Sequence, residues 1–138
     1  MTLREQRCTF ARLLVELLIW IEEQGWQVAL DEGKIFQKRK VTDDDGIRYT
    51  MFDSMHASRS YHYSGLAQDL LLYDDLDGDG DDDDYVRDGS DPRWFAISQR
   101  WESMHPLCVS GIRWRDANHV SFGEGSKNVP LSAFRKEE

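Results

Sequence analysis

Leu66-Ala67-Gln68-Asp69-Leu70-Leu71-Leu72-Tyr73 decides the fold. This mostly apolar run, with no Pro or Gly inside it, reads as a strand. Alternation places Ala67, Asp69, Leu71 and Tyr73 on one face and Leu66, Gln68, Leu70 and Leu72 on the other. Asp69 stands out. A carboxylate inside an apolar run needs a partner, and a metal ion is one of the few that suffice.

The neighbouring segments supply the rest of a small sheet. Trp26, Val28 and Leu30 alternate as a short strand upstream. Downstream, Val109 to Trp114 and Asn118 to Phe122 read as two more strands. Thr2-Leu3-Arg4-Glu5 is a capping box, and Phe10, Leu13, Leu14, Leu17, Leu18 and Ile21 recur at helical spacing before Gly25. This predicts a helix over 3–24. A second helix starts at Ser90-Asp91-Pro92, carries Trp94, Ile97, Trp101 and Met104, and stops at Pro106. Residues 31–59 read as a polar, irregular functional loop or lid, and the tail from Gly123 reads as loop. The expected class is α+β: a small antiparallel sheet with an N-terminal helix and a second helix between strands, in a single domain over residues 1–138.

Composition narrows the function classes. The chain has 138 residues, 40% of them hydrophobic, which suits one modest core. Cys8 and Cys108 are far apart in apolar surroundings and read as buried, reduced thiols. The apolar stretch Phe10 to Ile21 is short and interrupted by Arg12 and Glu16, so no stable membrane insertion is expected. No signal peptide is recognisable, which predicts synthesis in the cytosol. The net charge of −9 belongs to one place: residues 74–91 hold ten Asp and one Arg, and the remainder balances 16 acidic against 16 basic residues. With no basic stripe, nucleic-acid binding is not expected.

The acidic loop has a pattern of its own. In Asp75-Leu76-Asp77-Gly78-Asp79-Gly80-Asp81-Asp82-Asp83, carboxylates alternate and Gly80 is sixth from Asp75. That matches the first half of an EF-hand loop and makes Asp75, Asp77, Asp79, Asp81 and Asp83 candidate calcium (Ca2+) ligands. The twelfth position is Val86 and not Glu, so affinity is weak unless Asp84 or Asp88 substitutes. The competing reading is a solvated acidic loop.

Two histidines and two carboxylates remain to be placed: His62, Asp69, and the pair Asp116-x-x-His119. Imidazole nitrogen and carboxylate oxygen both bind zinc at about 2.0–2.2 Å. Three ligands, an open position for water and a nearby base are the inventory of a hydrolytic zinc site. Six residues separate His62 from Asp69, so strand geometry alone does not bring them together.

Ser60-x-His62-x-x-Gly65-x-Ala67-x-Asp69 resembles the Ser-x-His-x-x-Gly-x-Ala-x-Asp signature of the zinc D-alanyl-D-alanine carboxypeptidase family. That family includes the phage L-alanyl-D-glutamate endolysins and shares a fold with lysostaphin and hedgehog domains. Asp116-x-x-His119 resembles its second signature, and Trp101 to Cys108 resembles a segment found just upstream in phage members. The resemblance covers the C-terminal two thirds. It implies a hedgehog/D,D-peptidase-like fold, with His62, Asp69 and His119 as ligands of Zn2+ and Asp116 as the general base. It further implies a substrate or second-sphere role for Ser60 and His105, beside structural readings of both. The implied activity is hydrolysis of the peptidoglycan stem peptide as an L-alanyl-D-glutamate endopeptidase. The alternatives are a D-alanyl-D-alanine carboxypeptidase and a non-catalytic metal-binding module on the same scaffold. A monomer made in the host cytoplasm, reaching the periplasm and cell wall through a holin, is the implied setting. The chain departs from the family pattern in keeping one Gly in Val109-Ser110-Gly111-Ile112, and in having Val120 after the final His. The family's substrate-holding Arg has three candidates here, Arg39, Arg48 and Arg59.

Overall fold

The computed structural model describes residues 1–31, 36–54 and 65–135, with residues 36–41 and 49–54 as backbone alone. Helix α1 spans Leu3–Glu23. The Thr2 hydroxyl accepts the Glu5 amide at 3.1 Å, which satisfies one of the free amides of the first turn. Gly25, at φ +89°, turns the chain out of the helix. Phe10, Leu13, Leu17 and Ile21 are buried along one stripe. Cys8 lies two residues from that stripe, about 200° around the helix, and it is exposed. The expectation of two buried thiols therefore holds only for Cys108, whose burial pushes its thiol up to about 12.

Strands follow at β1 Gln27–Asp31, β2 Phe36–Thr42, β3 Arg48–Ser54, β4 Ala67–Asp74 and β5 Asp84–Tyr85. Then come α2 Pro92–Met104, β6 Cys108–Ser110 and β7 His119–Phe122. The α+β class is as expected, with two helices and an antiparallel sheet ordered β1-β4-β7-β6, while β5 pairs the far end of β4. Residues 36–54 differ from the irregular loop read from sequence. They form an antiparallel hairpin running from Phe36↔Ser54 to Thr42↔Arg48. The Asp43 carboxylate accepts the amides of Asp45 and Ile47 and closes its turn, with Gly46 at φ +77°.

Both helices pack on one face of the larger sheet. Leu70 and Leu72 from β4 and Val120 and Phe122 from β7 join Phe10, Leu17, Ile21, Trp94, Ile97 and Trp101 in a continuous core. Trp94 and Trp101 are fully buried, and their indole N–H groups donate to the carbonyls of Val86 and Ser121 at 3.1 and 3.0 Å. Because side chains alternate across a strand, Asp69 and His119 stand on the opposite face, away from the helices. Among the described residues no helix is long and apolar enough to cross a membrane.

Candidate metal centre

Register assembles the site. Asp69 of β4 pairs directly with His119 of β7 on one side and with Asp31 of β1 on the other. Directly opposed residues share a face, with Cβ atoms about 4.5–5.5 Å apart. The His119 Nδ1 lies 3.1 Å from Asp69 Oδ1 and 3.7 Å from Asp116 Oδ2. One ligand atom from each of the three lies within 4.8 Å of the others. With bonds of about 2.1 Å, two ligands of a tetrahedral zinc ion stand about 3.4 Å apart. The two distances bracket that edge, so the donor set fits a metal ion.

The loop before β7 carries Asp116 and is held from several sides. Val109 to Trp114 do not continue as one strand, contrary to the reading from sequence. The strand ends at Ser110, and Gly111–Trp114 form a 3-10 turn. The cause is spatial. A Cβ on Gly111 would stand 2.2 Å from the Asp116 carbonyl oxygen and 2.6 Å from His119 Cβ. The Asp116 amide donates to the Gly111 carbonyl at 2.9 Å, and the His119 amide to the Asp116 carbonyl at 3.0 Å. Arg115, at φ 63°, makes the left-handed step between the turn and Asp116. Asn118 clamps the loop to β4: its carbonyl accepts from the Leu70 amide and its side-chain amide donates to the Leu70 carbonyl. A buried pair ties the 3-10 turn to α2. Arg113 donates to both carboxylate oxygens of Glu102 at 2.8 and 2.7 Å, and Glu102 also accepts the Ser110 amide at 2.9 Å.

The three side chains differ in exposure: 5% for His119, 21% for Asp69 and 47% for Asp116. Asp69 is thus only partly buried, and its imidazole neighbour meets the need for a partner that the apolar run implied. Burial alone would push the His119 imidazole down. The carboxylates of Asp69 and Glu124 outweigh it and hold the ring above its ordinary range. Glu124 was not legible from sequence. Its Oε2 lies 2.7 Å from His119 Nε2 because the chain turns back at Gly123, φ +88°. That glycine directly after the strand is the one signal that could have pointed to it. Trp114 packs edge-on against the same ring at 5.5 Å.

His62 and Ser60, like His56 and Arg59, lie outside the described residues. Arg39 is described by backbone alone, and Arg48 is exposed at the start of β3. His105 closes α2: its Nδ1 accepts the Leu107 amide at 3.0 Å and its ring lies against Phe122 at 4.9 Å. A groove of about 880 Å3, lined in part by Asp88, Phe95, Ile112 and Arg135, includes none of Asp69, Asp116 and His119.

A second acidic group occupies the turn between β4 and β5. Asp75, Asp77, Asp79 and Asp84 bring one carboxylate oxygen each within 4.8 Å. Asp81 and Asp83, expected from the alternating pattern, are not in that group, and Asp84 joins it through β5. Backbone amides already engage these oxygens. Asp75 accepts from Gly78 and Gly80 at 2.8 and 2.9 Å, and Asp84 from Leu76 and Asp77 at 2.9 and 3.2 Å. The Gly80 amide leads in holding the Asp75 carboxyl below its usual range. At Asp77 the Asp79 amide pulls down, but lost hydration and the neighbouring Asp84 charge leave the carboxyl raised.

No protein-family model, curated protein or solved structure matches the chain.

Proposed function

We propose that the chain is a zinc-dependent peptidase that hydrolyses the peptide stem of bacterial peptidoglycan, as its two signature-like segments imply. One observation carries this reading: strands β4 and β7 pair so that Asp69 stands opposite His119, with Asp116 beside the same ring nitrogen. Asp69 and His119 hold the metal together with His62. Both described ligands sit on paired strands, which keeps their geometry rigid. Asp116 is the most exposed of the three and lies in a loop, so its carboxylate can reach water and substrate. It takes the proton from the attacking water and returns it to the leaving amine. A bound zinc ion supplies a Lewis acid that acidifies water and polarises the scissile carbonyl.

The favoured bond is L-alanyl-D-glutamate, with D-alanyl-D-alanine as the alternative. Digestion of purified peptidoglycan followed by mass spectrometry separates them. New amino termini on D-glutamate select the endopeptidase, and released D-alanine selects the carboxypeptidase. Zinc content without any new terminus selects the non-catalytic module. Asp116→Ala keeps zinc and loses lysis of outer-membrane-permeabilised Gram-negative cells, whereas His62→Ala loses both. Lysis by Asp116→Ala at the parent rate sinks the base assignment. In this reading the enzyme works as a monomer in the periplasm, reaching the wall once a holin has opened the membrane.

Calcium at Asp75, Asp77, Asp79 and Asp84 stands against a turn held by its own amides. A calcium titration of thermal unfolding decides between them.

A further inference from the structure

We infer that Glu124 is the positioning residue for His119, holding Nε2–H so that Nδ1 alone faces the metal. This rests on the metal-site reading given above. A carboxylate oxygen only accepts, so at 2.7 Å from Glu124 Oε2 the proton sits on Nε2. Nδ1, turned toward Asp69 and Asp116, makes the longer contact, 3.1 Å, so its proton is the one a metal would displace, leaving the lone pair there. The two contacts have different characters. At 2.7 Å the Glu124 contact has the length of a charge-assisted hydrogen bond and is well short of the edge of about 3.4 Å between two ligands of one zinc ion. Glu124 therefore stands behind the ring and not beside the metal.

The surroundings leave the ring no second pose. Rotating it by half a turn would exchange each nitrogen for a carbon and forfeit both contacts. Trp114 packs against the ring, its side chain is only 5% exposed, and Gly111 lies against its Cβ. Glu124 is placed by backbone: β7 ends at Phe122, Gly123 turns at φ +88°, and the Gly123 amide donates to the Leu107 carbonyl at 2.6 Å. A metal-bound imidazole commonly gives its other N–H to such a partner, and losing that partner costs about 10–100-fold in metal affinity.

The test uses the full chain, zinc, and 15N-labelled histidine. Zinc affinity is measured by chelator competition for the parent, Glu124→Ala and Glu124→Gln. Ring nitrogens are assigned from long-range 1H–15N spectra of the zinc-loaded parent. The expected result is zinc on Nδ1 with a proton on Nε2, a loss of about 10–100-fold in affinity for Glu124→Ala, and recovery of most of it in Glu124→Gln, whose amide oxygen accepts the same bond. Zinc on Nε2, or parent-like affinity in Glu124→Ala, overturns the inference while the metal site stands. A parent that binds no zinc overturns the metal-site reading and this inference with it. The parent spectrum needs no variant, so a poorly folded Glu124→Ala does not shelter the idea.

Discussion

Asp69 and Asp116 meet an imidazole on paired strands, whereas Asp75, Asp77, Asp79 and Asp84 meet one another and the amides of their own turn. The same side chain serves both groups, but its neighbours differ. In the sheet, an imidazole nitrogen and two carboxylates converge on a rigid register, and the amides nearby are spent on the backbone. In the turn, the carboxylates accept hydrogen bonds from the amides of their own loop, as in Asx turns. Cation demand is therefore set by what else reaches the oxygens and not by how many aspartates are present.

The largest effect expected from disturbing this contrast lies under the sheet site. Glu102→Ala strands the buried Arg113, and breaking such a pair costs about 3–5 kcal/mol in urea unfolding. Replacing both partners by apolar residues of similar volume should recover most of the loss. If Glu102→Ala unfolds like the parent, the tie between the 3-10 turn and α2 is not what holds the loop.

Next come paired glycine substitutions. Gly111→Ala forces a methyl into the Asp116 carbonyl and should cost about 1–3 kcal/mol together with metal binding. Gly80→Ala meets nothing within 4 Å, but its φ of +90° costs about 1–2 kcal/mol and should leave metal binding at the sheet site unchanged. Equal metal affinities in the two variants would erase the distinction between the groups.

Calcium gives a smaller signal. At tenfold excess over its Kd, a bound ion adds about 1.4 kcal/mol, or about 5 °C in a domain of this size. Asp84→Ala should abolish the rise. A calcium-independent melting temperature leaves the turn as an amide-held loop.

Smallest is a pH effect in the metal-free protein. The folded value of His119 is raised above the unfolded one. Its contribution to stability is therefore full below about pH 6.5 and fades as pH rises through the raised value. The stability difference between the parent and His119→Gln should shrink from pH 6 to pH 9 in metal-free urea titrations. A difference that grows over that range contradicts the sign.

Much of the frame was legible in the chain. The stripe Phe10-Leu13-Leu17-Ile21, the run around Asp69 and the Asp91-Pro92 start each carry a local signal, and each element stands where that signal puts it. The β2–β3 hairpin was missed because Gln37-Lys38-Arg39-Lys40 has no apolar alternation, although Asp45-Gly46 is a turn signal of the right kind. The break after Ser110 was hidden because Gly111 answers to atoms of Asp116 and His119, a tertiary cause without local periodicity. For the site, residue types and order were readable, but the pairing of Asp69 with His119 depends on register. Glu124 depends on a turn past the end of the strand.

That register spans 50 positions of chain. β4 lies at the centre of the larger sheet, with β1 before it and β7 after it in sequence, so a local hairpin, with β5, closes only its far end. Closing such distant pairs is slow and cooperative. During synthesis Asp69 leaves the ribosome well before His119 exists to meet it. The pairing of Asp69 with His119 is therefore a property of the finished sheet: a nascent chain cut short of residue 119 carries Asp69 and cannot assemble the candidate centre.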